Sequence, residues 1–274
     1  MREEMRKKSP LSGLDCERLF SHQVLGKYKA NYYYDKSIGY IFVDEPYWLE
    51  EAYDSAITIT DTGILVRNNA NANRVSTAIL MNSINVKKGV DLGGGYGLFV
   101  RGMRDKGFNF FWEDKYAENL MARGFEADEG VHEVAVAFEV LEHLANPLQF
   151  LQNAKLKYNF HTCFFTATCF DMNDLPDENW WYWVFETGQH ISFFSKKTLE
   201  YMASQIDMNL FHFGGEFYAF SSLSLETKPR RIKSWVPKIL RSNNKFKKDF
   251  DFPKSLTKSD FKFLRKNLQK KNNV

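Results

Sequence analysis

Apolar and polar residues follow two different periods through the middle of the chain, and together they predict alternating strands and helices. Nearly continuous apolar runs, typical of buried strands, occupy residues 88–92, 108–113, 133–138 and 160–168. Helical spacing of apolar residues predicts helices at 68–85, 98–106, 116–123, 147–155 and 196–206. The segment that follows predicts an antiparallel hairpin turning at Gly214 and Gly215. This order of elements predicts an α/β fold, in which helices cover a parallel sheet that ends in a hairpin.

Two flanking regions differ from this alternating centre, so we divide the chain into residues 1–68, 69–226 and 227–274. The first region is rich in Tyr and acidic residues. A short amphipathic helix is predicted within it at residues 46–57. We therefore expect a small N-terminal region, one large α/β domain and a C-terminal tail.

The tail is strongly basic. Residues 228–274 carry 16 Lys and Arg against three Asp, a balance of +13, whereas the whole chain has a net charge of +3. Such a segment favours an anionic partner (nucleic acid, a membrane surface or an anionic substrate) or is a solvated tail. A weak helix is predicted from Ser259, with Phe261, Leu264 and Leu268 on one side.

Composition is that of a globular protein, with 44% hydrophobic and 26% charged residues in 274. No apolar run approaches the roughly 20 residues that cross a bilayer, and the N-terminus lacks the apolar core of a secretory signal. The cysteines, Cys16, Cys163 and Cys169, form no paired motif. We therefore expect a cytoplasmic protein.

A glycine-rich turn follows the first strand of the α/β region and precedes a helix, as in nucleotide-binding sites. Its glycines are Gly93, Gly95 and Gly97, whereas the dinucleotide fingerprint would require glycine at the position of Leu98. Asp91, at the end of the strand, would repel a pyrophosphate and attract an ammonium group. The turn therefore favours a nucleoside that carries a cationic amino-acid end over a dinucleotide such as a nicotinamide cofactor.

A carboxylate also lies at the end of the second strand of this region. Asp114 is placed to accept the ribose hydroxyls, as acids do at that point in βαβ nucleotide sites. Its neighbour Glu113 is the other candidate. Successive strand residues point to opposite faces, so only one of the two carboxylates can point inward. Asp114 has a structural alternative as the N-cap of the helix predicted at 116–123.

Two segments resemble the class I S-adenosylmethionine-dependent methyltransferases. VDLGGGYG is similar to the first motif of that family, and FEVLEHLANP to the segment that follows its fourth strand. The resemblance covers about residues 70–222. It implies a Rossmann-like, seven-stranded sheet with a terminal antiparallel hairpin, and S-adenosylmethionine as the cofactor.

The same resemblance implies which residues bind the cofactor. They are Asp91, Gly93, Gly95, Gly97, Asp114 and Glu139. The glycines would surround the methionine part, Asp91 would contact its amino group and Asp114 the ribose. Asp128 is the candidate for the acid that often follows the third strand in this family.

The N-terminal region resembles that of a bacterial subgroup of these enzymes that modifies surface sugars and small metabolites. That subgroup opens with a cysteine zinc ribbon ahead of a segment like PYWLEEAY. Here Asp35 and Ile38 stand where cysteines are expected, and Cys16 remains as a single thiol. One thiolate cannot form a Cys₄ site, so we predict no zinc ribbon and expect tyrosine packing in its place.

Acids and histidines cluster in the motif EVLEH and again near residue 190. Glu142 and His143, together with His190, are our candidates for catalysis, with His143 as a general base. Joined by Glu139, the same residues suit a divalent metal, which the resemblance links to ubiquinone-pathway and small-RNA 2′-O-methyltransferases. A third interpretation is that Glu142 and His143 only stabilise the loop before Pro147.

The acceptor is less defined than the donor. The aromatic run NWWYWVF at 179–185 suits a sugar face, a base or an aromatic ring, or belongs to the core. We predict O-methylation of a small metabolite or of a sugar or surface-glycan precursor. The alternatives are an RNA methyltransferase, favoured by the basic tail, and a module that binds the cofactor without turnover. A nicotinamide dehydrogenase is disfavoured by Leu98 and the terminal hairpin.

Overall fold

A computed structural model describes residues 6–53, 62–228 and 253–272. It divides into two compact units: the first takes residues up to 61 together with 137–223, and the second takes 62–136 together with 224–274. The predicted boundaries at 68 and 226 stay predictions. No helix among the described residues is long and apolar enough to cross a membrane.

The described residues form twelve strands and six α-helices. The strands are β1 (Arg6–Lys8), β2 (Asp15–Val24), β3 (Tyr28–Asp35), β4 (Tyr40–Val43), β5 (Gly89–Leu92), β6 (Phe110–Glu113), β7 (Val134–Ala137), β8 (Thr162–Thr166), β9 (Cys169–Phe170), β10 (Ser192–Ser195), β11 (Asn209–Gly214) and β12 (Phe217–Ser221). The helices are α1 (Leu49–Ala52), α2 (Ile64–Met81), α3 (Leu98–Asp105), α4 (Pro147–Tyr158), α5 (Lys196–Gln205) and α6 (Thr257–Asn272).

The second unit contains the three parallel strands that precede and follow the glycine-rich turn and its helix. Strand β5 pairs in parallel with both β6 and β7, and its four residues are buried, which explains their apolar run. Helices α2 and α3 agree with the predicted helices, although α2 begins four residues before the predicted start at 68. The first unit holds the predicted hairpin of β11 and β12, whose second strand also pairs antiparallel with β8.

The helix predicted at 116–123 is wrong, because this segment is an irregular loop. Asp114 accepts hydrogen bonds from the backbone N–H groups of Tyr116 and Ala117, and Asn119 accepts one from Ala122. Short polar side chains that bond the backbone in this way compete with the helical hydrogen bonds. The apolar spacing that suggested a helix was therefore outweighed by local turn chemistry.

The N-terminal region is an antiparallel sheet, which the sequence patterns did not predict. Strands β1 to β4 pair in chain order, and β10 and β9 extend the sheet beyond β4. Tyr32, Tyr33 and Tyr40 are buried in it, and Tyr32 stacks on Phe20 with ring centroids 4.5 Å apart. Buried Asp35 accepts hydrogen bonds from the hydroxyls of neighbouring serines and so holds the turn into β4.

The amphipathic helix predicted at 46–57 is shorter in the structure, where α1 spans only Leu49–Ala52. Residues 54–57 of that prediction lie outside the described residues. In the aromatic run at 179–185, Trp183 is buried against Tyr32 and Phe193, which confirms the core interpretation for this residue.

The end of the basic tail forms α6, close to the predicted start at Ser259, and it is attached to the second unit by a buried ion pair. The Arg104 guanidinium donates from Nε and Nη2 to the two oxygens of Asp260, both at 2.9 Å. Arg101 donates to the same carboxylate at 3.0 Å. Planar, bidentate pairing of this kind fixes orientation as well as charge. Residues 229–252 of the tail lie outside the described residues.

Candidate cofactor loop and acid–histidine cluster

The glycine loop lies in the second unit, between β5 and α3. Gly93, Gly95 and Gly97 all adopt positive φ, at 70°, 51° and 82°. Glycine adopts such angles without the cost that other residues incur. A Cβ on Gly97 would lie 2.7 Å from the Asn119 side chain, whereas one on Gly95 would meet nothing within 4 Å. The loop is therefore packed at its end and open at Gly95.

Asp91 is buried beside this loop, only 3% exposed, and its Oδ2 has no hydrogen-bond partner in the structure. Burial, and to a lesser extent the negative charge of Asp114, raises the pKa of Asp91 to about 8. A buried carboxylate without a partner is costly, so such a group indicates a missing cation or donor. Asp91 is therefore a candidate to bind a cationic ligand.

Asp114 connects the end of β6 to the glycine loop. Its Oδ2 accepts the Gly95 N–H at 2.9 Å, while Oδ1 accepts two backbone N–H groups of the following turn. Each carboxylate oxygen offers two lone pairs, so Oδ2 keeps an acceptor site after bonding Gly95. The structure thus brings Asp91, the glycines and Asp114 together, as the sequence predicted, and it removes the predicted N-cap alternative because no helix follows.

Trp112 is a further residue of this site that the sequence did not single out. Its Nε1 donates to the Gly95 carbonyl at 2.7 Å, and its ring would contact a Cβ placed on Gly94. The indole therefore holds the carbonyl of Gly95, while Asp114 holds its N–H group. A tryptophan two residues before Asp114, on the same strand face, was the available signal.

Two of the predicted acids have other contacts. Glu139 lies in the first unit, where its Oε1 accepts the Thr166 hydroxyl at 2.7 Å and its backbone N–H donates to the same hydroxyl oxygen. Asp128 forms an ion pair with Lys88 at 2.9 Å and is 65% exposed, the geometry of a surface pair. Their predicted roles in cofactor binding stay predictions.

The first unit brings Glu142, His143 and His190 together. The first two form a 3₁₀ turn at Leu141–His143, and His190 precedes β10. One ligand atom from each side chain lies within 4.8 Å of the others. We call this group the acid–histidine cluster. Glu139 is not in the group, although the sequence had placed it there.

Backbone contacts hold His190 in place. The preceding residues are fixed by the Trp48 indole, which donates to the Gly188 carbonyl at 2.8 Å, and by the Gln189 side chain, which donates to the Ala52 carbonyl. The Ile191 N–H donates to the Glu142 carbonyl at 2.9 Å, which ties the two halves of the cluster together. These contacts come from residues far apart in the chain.

Burial changes the protonation of the cluster, in which Glu142 is buried and both imidazoles are half-buried. Burial lowers the pKa of His143 to about 4, and burial together with the neighbouring His143 lowers the pKa of His190 to about 4. Burial also raises the pKa of Glu142. The imidazoles are therefore neutral near pH 7 and weak as bases, because general bases work best with a pKa near the operating pH. The predicted catalytic roles of these residues stay predictions.

Comparison with known proteins identifies the family. The sequence profile of the family described as "Methyltransferase domain" matches residues 67–212, more than half of the chain. The chain belongs to this methyltransferase family. The match confirms the predicted family, the α/β fold class and S-adenosylmethionine as the cofactor. No curated protein sequence matches the chain.

Several solved structures share parts of the fold at low identity. The mitomycin 7-O-methyltransferase MmcR is 13% identical, with a TM-score of 0.40 over 56% of this chain and 52% of its own. TnmH is 12% identical, with a TM-score of 0.47 over 65% and 62%. Magnesium protoporphyrin IX methyltransferase from Synechocystis is 10% identical, with a TM-score of 0.43 over 63% and 90%. The chain spans about half the length of the first of these proteins.

Proposed function

We propose that the protein transfers a methyl group from S-adenosylmethionine to an oxygen atom of a small metabolite or of a sugar or surface-glycan precursor. The binding of the methyl donor is supported by buried Asp91, whose Oδ2 has no hydrogen-bond partner and lies beside the open glycine loop. An ammonium group is the partner that would stabilise this carboxylate as an anion. The methionine end of the cofactor provides one.

The residues of the loop fit the rest of the cofactor as well. Positive φ at Gly95 with no atom within 4 Å of a Cβ leaves room for a ligand against the backbone. Asp114 keeps acceptor capacity for a ribose hydroxyl after fixing the Gly95 N–H. Trp112 and Asp114 hold this geometry in advance, which lowers the entropy lost on binding.

Bound S-adenosylmethionine supplies an electrophilic methyl group for an in-line displacement. The chain's own task is then to position the two reactants and to exclude water. The acceptor half of the proposal rests on the family and on the resemblance of the N-terminal region to enzymes that modify sugars and metabolites. Oxygen is the acceptor atom that this resemblance favours.

Calorimetric titration with S-adenosylmethionine and with its demethylated product tests the donor site. Replacing Asp91→Asn removes a charge-assisted contact and should weaken binding about 10–100-fold, the equivalent of roughly 1.5–3 kcal/mol. Asp105→Asn is the matched control, since Asp105 is an exposed acid of the same unit whose contacts are with Arg101 and Thr257. Equal affinity of both variants and the wild type would contradict the proposed site.

The acceptor is tested with methyl-labelled S-adenosylmethionine and a fractionated cell extract. Label in an alkali-stable small-molecule or glycan fraction is the expected result. Label that is sensitive to ribonuclease, with binding that falls steeply as salt rises, would establish the RNA alternative instead. Tight cofactor binding without transfer to any fraction would indicate a module that lacks activity.

A further inference from the structure

Helix α6 packs on the second unit through one face. Buried Asp260 pairs with Arg104 on that face. One turn later, Leu264 covers Gly124, where an added Cβ would lie 2.5 Å from Leu264 Cδ2. Residues four apart lie on the same side of a helix, so Asp260 and Leu264 mark the side that α6 turns towards the unit. The other sides of the helix are open to solvent.

The solvent-exposed surface of α6 is basic. Asp260 is the only acid in the sequence of the helix, and it is already engaged by Arg101 and Arg104. The exposed cations of the helix are Lys258, Lys262, Arg265 and Lys266. The three lysines follow one another at intervals of four, so they form a row of positive charge along the helix. Because α6 has no other acid, this row is suited to an anionic partner.

Large apolar side chains are exposed beside this row. Phe261 and Leu268 are each 63% exposed, and Phe263 is 51% exposed, although its ring centroid lies 6.1 Å from that of Phe125. Phe261 and Leu268 are seven residues apart and therefore lie on the same side of the helix. Exposed apolar residues also occupy the loop that leads to Gly124: Tyr116, Leu120 and Met121. Exposed apolar side chains grouped in this way are typical of an interaction surface.

We propose that the exposed surface of α6 binds an anionic membrane surface, with the helix lying in the plane of the lipid headgroups. Helices that bind in this way combine lysines, which attract anionic headgroups, with Phe and Leu, which enter the boundary of the acyl chains. A nucleic acid would contact the lysines through its phosphates, but Leu268 could neither stack on a base nor hydrogen-bond with one. A lipid surface accounts for both the charged and the apolar side chains.

The start of α6 is fixed to α3, so binding through α6 would orient the second unit on the membrane. The Leu256 N–H donates to the Arg104 carbonyl at 3.0 Å, and the Thr257 hydroxyl donates to Asp105 at 2.8 Å. The buried pair of Asp260 and Arg104 adds a third contact to the same helix. Since α3 begins directly after the glycine loop, the loop would be held in one orientation to the surface.

Flotation of the full chain with lipid vesicles tests the proposal. One set of vesicles is phosphatidylcholine alone, and the other is an equal mixture of phosphatidylcholine and anionic phosphatidylglycerol. We expect binding to the mixed vesicles only, and weaker binding as salt rises, because salt screens the attraction between lysines and headgroups. None of these outcomes depends on methyl transfer.

Substitution of the lysine row tests the electrostatic part. Replacing Lys258→Gln, Lys262→Gln and Lys266→Gln together should weaken vesicle binding about 100-fold, which corresponds to about fivefold for each lysine near an anionic surface. The matched control removes the same charge from exposed lysines of the first unit. It consists of Lys29→Gln, Lys36→Gln and Lys197→Gln. Residues 229–252 are unchanged in both variants, so their charges cannot explain a difference between them.

Substitution of the apolar residues tests insertion. Phe261→Ser with Leu268→Ser should weaken binding at least about tenfold, because less apolar surface leaves water. Leu156→Ser is the control, since Leu156 is 85% exposed on α4 and should not contact the membrane. Thermal melts and titrations with S-adenosylmethionine should give wild-type values for every variant, because the replaced side chains are exposed and lie outside the cofactor loop.

Three results would overturn the proposal. The first is a wild type that does not bind the mixed vesicles. The second is equal binding by the lysine variant and its control, which would place the attraction elsewhere in the chain. The third is binding of a short RNA duplex, lost in the lysine variant and kept in the serine variant, without binding to vesicles. That result would assign the surface of α6 to nucleic acid.

Discussion

Replacing Asp91→Asn should make the ligand-free protein more stable and at the same time impair its cofactor site. The carboxyl has a pKa of about 8 in the folded chain and 3.8 as its ordinary value. At pH 7 the folded protein therefore keeps Asp91 protonated, although the unfolded chain would release the proton. Each pH unit between these two values costs about 1.4 kcal/mol, so the penalty at pH 7 is about 4 kcal/mol.

Asparagine has nearly the same shape and no proton to lose, so it avoids this penalty. Its buried amide would lack a partner and cost about 1–3 kcal/mol. The variant should therefore gain about 1–3 kcal/mol in free energy of unfolding at pH 7. Because the raised pKa means that the folded state binds the extra proton, wild-type stability should fall from pH 4 to pH 8, and the variant should lack this contribution.

Urea unfolding of both proteins between pH 4 and pH 9, with and without S-adenosylmethionine, measures these effects. The difference between the two curves should grow with pH up to about 8, and the cofactor should stabilise only the wild type appreciably. Wild-type binding at pH 7 should also release a proton, detectable by calorimetry in buffers of different ionisation enthalpy. A variant that is less stable than the wild type at every pH, with unchanged cofactor affinity, would refute the role given to Asp91.

Four other substitutions test the geometry of the second unit. Gly95→Ala should cost only about 1–2 kcal/mol of stability in thermal melts but weaken S-adenosylmethionine binding at least tenfold in titrations. Gly97→Ala should destabilise the fold more, since its Cβ would meet packed atoms. Trp112→Phe removes one hydrogen bond to Gly95, so it should lower cofactor affinity several-fold in calorimetry and lower stability by about 1 kcal/mol in thermal melts. Asp260→Asn should cost about 3 kcal/mol in urea unfolding by leaving Arg104 without its full partner, and an unchanged midpoint would contradict this.

The sequence was most informative where the determinants of structure are local. The buried run of β5, the glycines that follow it and the carboxylate of Asp114 lie within one βαβ segment, and each has a residue type that the structure requires. The turn of the terminal hairpin is marked by Gly214 and Gly215, both of which adopt positive φ. Such features could be placed without knowledge of distant contacts.

The N-terminal sheet could not be predicted in the same way. Half of the residues in β2 have intermediate exposure and the strand alternates poorly, so its period is weak. The sheet continues beyond β4 with β10, about 150 residues later. The acid–histidine cluster has the same difficulty. The motif EVLEH identified Glu142 and His143. The two carbonyls that hydrogen-bond the imidazoles, and the Tyr182 hydroxyl that donates to Glu142, are brought there by tertiary contacts and have no sequence motif.

Asp91 and Glu142 share one physical property. Both are almost fully buried, both have a raised pKa, and both keep a carboxylate oxygen without a partner. A buried carboxylate can be stabilised either by a proton or by a cation, and the choice depends on pH and on ligand concentration. A buried carboxyl with an unpaired oxygen lowers stability at each position. Under the proposed function the ammonium group of S-adenosylmethionine would compensate this cost at Asp91. The cofactor should therefore raise the unfolding temperature of the wild type, and Asp91→Asn should abolish most of that effect.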